Sequence, residues 1–508
     1  MPLPRHAPSL LARAMLVAVW AVVPGFAARG LAGPPEPEAT IALPAPLAAS
    51  GGGSPIDAEN VVVPTPPVEI PPEIAAEFAR LRSELDELKK AAKAAKPKPS
   101  ESKPAAAKKS EPKDGEKNGR PSVKFGGQVQ GDQVMFSQDE VSKLTYGNLQ
   151  NGAQFRRLRI GARGEAWKQL QYSLGVDFAL ANQPSYLDNY VEANDLPWIG
   201  NVRAGHFFEP FSLERVTQNF NNTFMERSSV DTFAPARNTG AMIFGNAENE
   251  RATWQIGTFR TNSDNTGNDS FDSGQALTMR STWLPFWDEA SDGRAYLHLG
   301  VGYSFRDADQ NRVRFRNTPE IRKAQPPNIP AANINTPPFA PIFVDTGNIP
   351  ASNFQLFDPE FALILGPLSL QSEYACAVVD QIGGPSLFFN GYVAQVSWFL
   401  TGEHRPYDRE RGVHKRMKVN DEFFRTRGPG GGIARGLGAW ELAARYSTID
   451  LNDFNVQGNE MTDFTFGLNW YLNPHTRLKF NFVRASVDDL SVGKSKTDAF
   501  GMRFDFDF

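Results

Sequence analysis

The chain has 508 residues, a formal net charge of −4, 41% hydrophobic and 22% charged residues, with 43 Gly, 39 Pro and one Cys. This is long enough for a large core and too varied for collagen or for disorder throughout. Cys376, standing alone, excludes an internal disulfide and a cysteine-based metal cluster.

In chain order, Arg5, His6 and Arg13 precede the apolar run 14–23, Pro24 ends it, and Ala27 and Ala32 offer cleavage points. The pattern predicts an export signal over 1–32 that is removed. The run is shorter than the roughly 20 apolar residues of a spanning helix, and no later segment reaches that length. A chain that crosses a membrane without such helices crosses it as a β-barrel. Residues 33–72 form a Pro/Ala/Gly-rich linker. Over 73–94, Ile74, Phe78, Leu81, Leu85, Leu88 and Ala92 recur at steps of four and three behind Pro72, the seam of a short coiled-coil helix. About three heptads are marginal alone, so this helix calls for copies from sister subunits. Residues 95–120 continue as a basic disordered linker, and 89–120 carries 11 Lys or Arg against 4 Asp or Glu. It reads as a solvated spacer whose charge also fits an anionic cell-wall polymer.

From residue 121 the period becomes two. QFRRLRIGARGEA sets Leu158, Ile160, Ala162 and Ala166 on one face and Arg157, Arg159, Arg163 and Glu165 on the other. The same dyad recurs in 172–178, 295–304, 440–447 and 464–472. Sixteen such segments, centred near 129, 160, 175, 190, 204, 242, 255, 279, 299, 360, 373, 395, 444, 467, 481 and 503, predict an all-β fold. It is a 16-stranded antiparallel transmembrane β-barrel over 121–508, wide enough for a water-filled pore. Tight turns are expected within 163–171 and 471–477; 208–237, 261–274, 305–354 and 401–437 read as long outer or infolded loops. The terminal FGMRFDFDF reads as the closing strand. Phe500, Met502, Phe504, Phe506 and Phe508 meet lipid, while Arg503, Asp505 and Asp507 meet the lumen.

Four runs resemble blocks of the phosphate-selective porin O and P family: LDNYVEANDLPWIGNVRAGHFFEPFSLERVTQNFNNTFMERS (187–228), FLTGEHRPYDRERG (399–412), GAWELAARYSTIDL (438–451) and GLNWYLNPHTRLKFNFV (467–483). The likeness covers roughly 121–508. It implies a homotrimeric porin of the bacterial outer membrane, embedded in its lipid. Its pore would be narrowed by an infolded third loop and lined by arginines and lysines that bind inorganic phosphate or other small anions.

The residues ask for similar chemistry. Basic side chains along a narrow path select anions, because Arg presents a fork of donors to phosphate oxygens. Arg157, Arg159 and Arg163 form such a row, and Arg203 in VRAGH extends it; Glu165, Asp188 and Glu192 are the partners that would make these ordinary polar lumen residues. The constriction is expected between the strands near 204 and 242, with Glu209, Glu214, Arg215, Glu226 and Arg227 as its charges. There Arg215 and Arg227 join the expected anion pathway, and Asn219, Asn221 and Asn222 are weak neutral donors. No Lys occurs from 169 to 322, a departure from the lysine-bearing constriction that the resemblance implies.

HRPYDRERGVHKRMK (404–418) reads as a solvated loop, with anion recruitment at the pore mouth as the alternative. SDNTGNDSFDSG (263–274) lacks EF-hand spacing and reads as a polar loop tip. No cofactor, metal or nucleic-acid site is expected. There is no P-loop, HExxH or G-x-S-x-G, and His298 has no evident Ser partner, so no enzyme is expected. An anion pore is the leading function. The alternatives are a general, weakly selective porin and a structural envelope tether using the coiled coil and the basic linker.

Overall fold

The computed structural model describes residues 121–179, 184–261, 274–321, 341–424, 426–427, 432–434 and 436–508. The export segment, both linkers and the coiled-coil helix expected over 1–120 lie outside those residues, as does nearly all of the 263–274 loop tip.

Sixteen long strands follow one another: β1 (Lys124–Gln138), β2 (Gly152–Trp167), β3 (Leu170–Asp177), β4 (Asn189–Leu196), β5 (Gly200–Phe208), β6 (Arg237–Asn246), β7 (Ala252–Arg260) and β8 (Gln275–Trp287) make the first half. The second half is β9 (Ala295–Asp307), β10 (Ile349–Leu365), β11 (Leu368–Gln381), β12 (Leu387–Phe399), β13 (Ala439–Asp453), β14 (Val456–Asn473), β15 (Thr476–Asp489) and β16 (Gly493–Asp507). Each pairs antiparallel with the next. β1 pairs with β16 from Gln128 opposite Asp507 to Gln138 opposite Thr497, which closes the barrel. Phe508 and Gly127 then exchange both backbone hydrogen bonds at 3.1 Å, so FGMRFDFDF is the closing strand. All sixteen expected centres fall inside strands.

Alternation sorts the two faces. On β16, Phe504 and Phe506 are exposed, whereas Arg503, Asp505 and Asp507 are buried within the barrel. Register shifts interrupt the rule on several strands, and the one on β2 bears on the lumen. The β1–β2 register shifts between Gln130, opposite Arg157, and Gly131, opposite Phe155, leaving Arg156 as the extra residue of a bulge. Phe155 stays outside, and both Arg156 and Arg157 turn inward. Nearby, Gly205 (φ +138°) lets β5 approach β4: a Cβ there would lie 2.3 Å from the Asn189 carbonyl oxygen.

The wall is uneven in height. β3 to β7 have 8 to 10 residues each, and the other strands 13 to 18. Turns at 168–169, 197–199, 247–251, 288–294, 366–367 and 474–475 share one end, which in such barrels faces the periplasm. The expected alternation of loop length holds up to residue 381 and then inverts. Connections 382–386, 454–455 and 490–492 at the opposite end are short, while the long 400–438 connection belongs to the periplasmic end and folds into the barrel. The third outer connection, 209–236, folds in from the other side. Its Phe211, Val230 and Phe233 pack in a buried cluster with Ala377 of β11, Phe389 of β12 and Ile449 of β13.

Phe466 lies near the middle of β14 and faces outward at 56% exposure. Phe466→Arg is expected to destabilise the barrel by about 2–4 kcal/mol, the cost of a basic side chain at the bilayer midplane. Urea titration of the protein folded into lipid vesicles measures it.

Candidate functional site: the constriction

The third loop begins with α1 (Leu213–Val216), capped by Ser212. Glu373 on β11 accepts from Ser212 Oγ at 2.6 Å and from the Glu214 amide at 3.0 Å, fixing that helix to the wall. Glu214 in turn accepts from the Ser228 amide (3.1 Å) and hydroxyl (2.7 Å), which draws the two arms of the loop together. Arg445 on β13 joins Glu214 (3.1 Å) to Glu320 (2.5 Å). Arg215 and Arg227 are struts of this loop. Arg215 meets the Asp231 carboxylate at 2.9 Å and donates to the carbonyls of Asp231 and Ala234 at 2.8 and 2.7 Å. Arg227 donates to the carbonyls of Glu214 and Arg215, both at 3.0 Å. The bonds these two arginines make are to the loop's own carbonyls and to Asp231.

The 400–438 loop supports the third loop from the periplasmic side. Arg405 donates to the Asn221 carbonyl at 2.8 Å and the Thr223 hydroxyl at 2.6 Å, and pairs with Glu441 at 2.7 Å. Asn221 Nδ2 donates to the His414 carbonyl at 3.1 Å. Arg405, Tyr407 and His414 are all buried, which corrects the solvated-loop reading of 404–418. His298 meets the Tyr407 hydroxyl at 2.6 Å and Glu360 at 3.1 Å, so this loop supplies its partner. Asn222 Nδ2 donates to the Glu214 carbonyl at 3.4 Å, a structural contact rather than an oxyanion site.

Across the lumen lies the arginine row. Arg156 is bidentate on Glu226 of the third loop, at 2.8 and 2.9 Å. Arg157 donates to Gln130 Oε1 at 2.6 Å, and its buried Nε has no hydrogen-bond partner among the described residues. Arg159 donates to Asp177 at 2.7 Å and to Asn219 Oδ1 at 2.8 Å. Arg203 pairs with Glu192 and stacks 4.1 Å over the Tyr190 ring. Arg237 is bidentate on Asp188 at 3.0 and 2.9 Å and stacks 3.8 Å over Phe208. Arg163 sits opposite Lys124, exposed towards the short-turn rim.

The structure thus brings Arg157, Arg159 and Arg203 to the lumen as expected, leaves Arg163 at the rim, and turns Arg215 and Arg227 into the loop's own frame. Sequence periodicity missed Arg156, because strict alternation sends it to lipid. The doubled arginine in QFRRLR was the available signal, since neither charge belongs outside. Arg237 went unnoticed at a loop-strand boundary. Five wall guanidiniums, Arg156, Arg157, Arg159, Arg203 and Arg237, face four carboxylates, Asp177, Asp188, Glu192 and Glu226. Burial pushes the Glu226 carboxyl up, yet Arg156, Arg503 and Arg157 together hold it well below the usual carboxylate range. The set is net positive, and Arg156, Arg159, Arg203 and Arg237 keep 14 to 19% of their side chains exposed.

The family described as phosphate-selective porin O and P matches residues 123–508. Porin O of Pseudomonas aeruginosa is 26% identical over 407 residues, 75% of this chain and 86% of that protein. An uncharacterized protein of Caulobacter vibrioides is 29% identical over 345 residues, 65% of this chain and 62% of that protein. The solved outer membrane channel DcaP of Acinetobacter baumannii aligns at 11% identity with a TM-score of 0.46, over 77% of this chain and 98% of that one.

Arg405 and Glu441 form a buried pair, at 8% and 0% side-chain exposure. Arg405→Ala leaves Glu441 uncompensated and is expected to destabilise the folded barrel by about 3–5 kcal/mol. The loss appears as a lower temperature of the heat-induced gel shift and as added open-channel noise from a loosened third loop.

Proposed function

Because this outer-membrane chain belongs to the phosphate-selective porin O and P family, we propose that it is a trimeric pore for small anions, inorganic phosphate among them, which pass along the arginine row of β2, β5 and β6. One observation carries the reading. Arg156 and Arg159, each with 19% of its side chain exposed, turn into the lumen from a single strand opposite the third loop, with the buried Arg157 between them. Guanidinium forks match phosphate oxygens, and the aromatic stacks under Arg203 and Arg237 hold those planes in place. Arg156, Arg159, Arg203 and Arg237 each pair with an acid, so the sites are moderate, which conduction requires. The same pairing, with no lysine in the third loop's own sequence, favours a broad anion pore over a tight phosphate filter.

The low wall supports the trimer. Strands of 8 to 10 residues rise about 26–33 Å along their axes. A tilt of about 40° cuts that to about 20–25 Å of height, at or below the apolar band of roughly 25 Å. Such a stretch suits a neighbouring subunit better than lipid. The heptads of 73–94 supply a second contact between subunits, with 1–32 as the export signal and 33–72 and 95–120 as spacers.

Purified protein in planar bilayers, in chloride with phosphate titrated in, tests the reading. We expect an anion-selective reversal potential and block by phosphate. Arg156→Gln with Arg159→Gln should bring the potential towards zero and raise the half-blocking phosphate concentration about tenfold, the loss of about 1.4 kcal/mol of charge-assisted binding. A large unselective current in the unaltered protein would instead mark a general pore.

Removing residues 33–120 separates pore from tether: single-channel conductance is expected to stay unchanged while the trimer dissociates at a lower temperature. Loss of conductance in that variant would contradict the domain assignment.

A further inference from the structure

Glu226 stands apart from the other acids of the row in where it comes from and what it touches. Asp177 and Glu192 belong to the wall strands, but Glu226 is presented by the third loop. Its two oxygens take the Nε and one terminal nitrogen of Arg156 at 2.8 and 2.9 Å, the fork geometry that a phosphate or carboxylate solute would adopt. One of those oxygens also accepts from Arg503 at 2.6 Å. Arg503 does not depend on it, since Asp132 already holds that guanidinium through two bonds of 2.7 Å. Arg156 does, because Glu226 is its carboxylate partner among the described residues.

We propose that Glu226 is a tethered counter-anion that occupies the binding fork of Arg156 and is displaced by each permeating oxyanion; the proposal rests on the anion-pore reading. The exchange leaves no charge stranded. When an incoming oxyanion takes the Arg156 fork, Glu226 keeps Arg503. Arg156 is the more exposed member of its pair, 19% against 6%, so the lumen reaches the guanidinium first. A built-in competitor lowers the residence time of each anion, and a pore needs binding strong enough to admit an ion and weak enough to release it. Glu226 is thus the residue that trades affinity for flux.

Glu226→Gln removes the competing charge and keeps the size of the side chain. In the full-length protein in planar bilayers, half-block by inorganic phosphate should occur at about tenfold lower concentration than in the parent, a gain of about 1.4 kcal/mol. Saturating current should fall, and the anion-to-cation permeability ratio should rise. The parent's reversal potential is read first. A parent without anion preference overturns the anion-pore reading and this proposal with it. An anion-selective parent with an unmoved block curve in Glu226→Gln, or with larger current and poorer selectivity, overturns the proposal alone and makes Glu226 a mere brace of the loop. If Glu226→Gln fails to give a folded, heat-modifiable channel, Glu226→Asp serves. It keeps the charge but draws the carboxylate back by one methylene, and should shift block in the same direction by a smaller factor; an unchanged curve there also refutes the displacement.

Discussion

Everything in this molecule depends on the β1–β16 ladder. In hydrocarbon no water satisfies a free backbone N–H or C=O, so a sheet is admissible only without edges. The pairing of Gln128 to Gln138 with Asp507 to Thr497, extended by Phe508 and Gly127, removes both edges at once. Closure then forces the alternation of side chains to mean lipid on one side and lumen on the other. Arg503, Asp505 and Asp507 can exist on a terminal strand of phenylalanines for that reason alone.

A lumen lined this way is crowded with charge, and charges drawn from water are stable only when paired. The infolded loops meet that demand. Glu214 and Glu226 of the third loop satisfy Arg445, Arg156 and Arg503, and the backbone carbonyls of Asn222 and Phe224 accept from Lys479. From the periplasmic side Arg405 satisfies Glu441, and Tyr407 reaches His298. The loops and the wall are each other's counterions, which is why a long polar connection folds into a barrel rather than out into solvent. Phe211, Val230 and Phe233 add an apolar footing on β11 to β13.

The strands were legible in the sequence because the period of two is imposed by lipid, residue by residue. What escaped were departures from period or from locality. The Arg156 bulge shifts register by one residue, and the doubled arginine of QFRRLR is the one local sign of it. Arg215 and Arg227 look like lining residues in a linear reading, yet their donors go to carbonyls 12 to 19 positions away, which only the folded loop brings near. The 404–418 segment has the composition of a solvated loop. Its Arg405, Tyr407 and His414 are buried by partners on β9, β13 and the third loop, all more than twenty residues distant. Arg203 with Glu192 was foreseeable, since cross-strand neighbours at short separation are close in sequence.

The two sides of the lumen use the same chemistry to different ends, and exposure decides which. Arg280 with Glu360, Arg445 with Glu320 and Arg503 with Asp132 have side chains no more than 2% exposed. Arg156 with Glu226, Arg159 with Asp177 and Arg237 with Asp188 range from 6% to 39%. Two unit charges 4 Å apart interact by about 4 kcal/mol at an effective dielectric constant near 20, but by about 1 kcal/mol in bulk water. Pairs on the dry side are therefore permanent; Arg280 with Glu360 and Arg503 with Asp132 join wall strands, and Arg445 with Glu320 holds a loop to the wall. Those on the wet side lie near thermal exchange with any anion that presents the same fork of oxygens. A pore that needs both a rigid constriction and quick release places its ion pairs on either side of that boundary, and the third loop, pinned on β11 to β13 and offering Glu226 to β2, draws it.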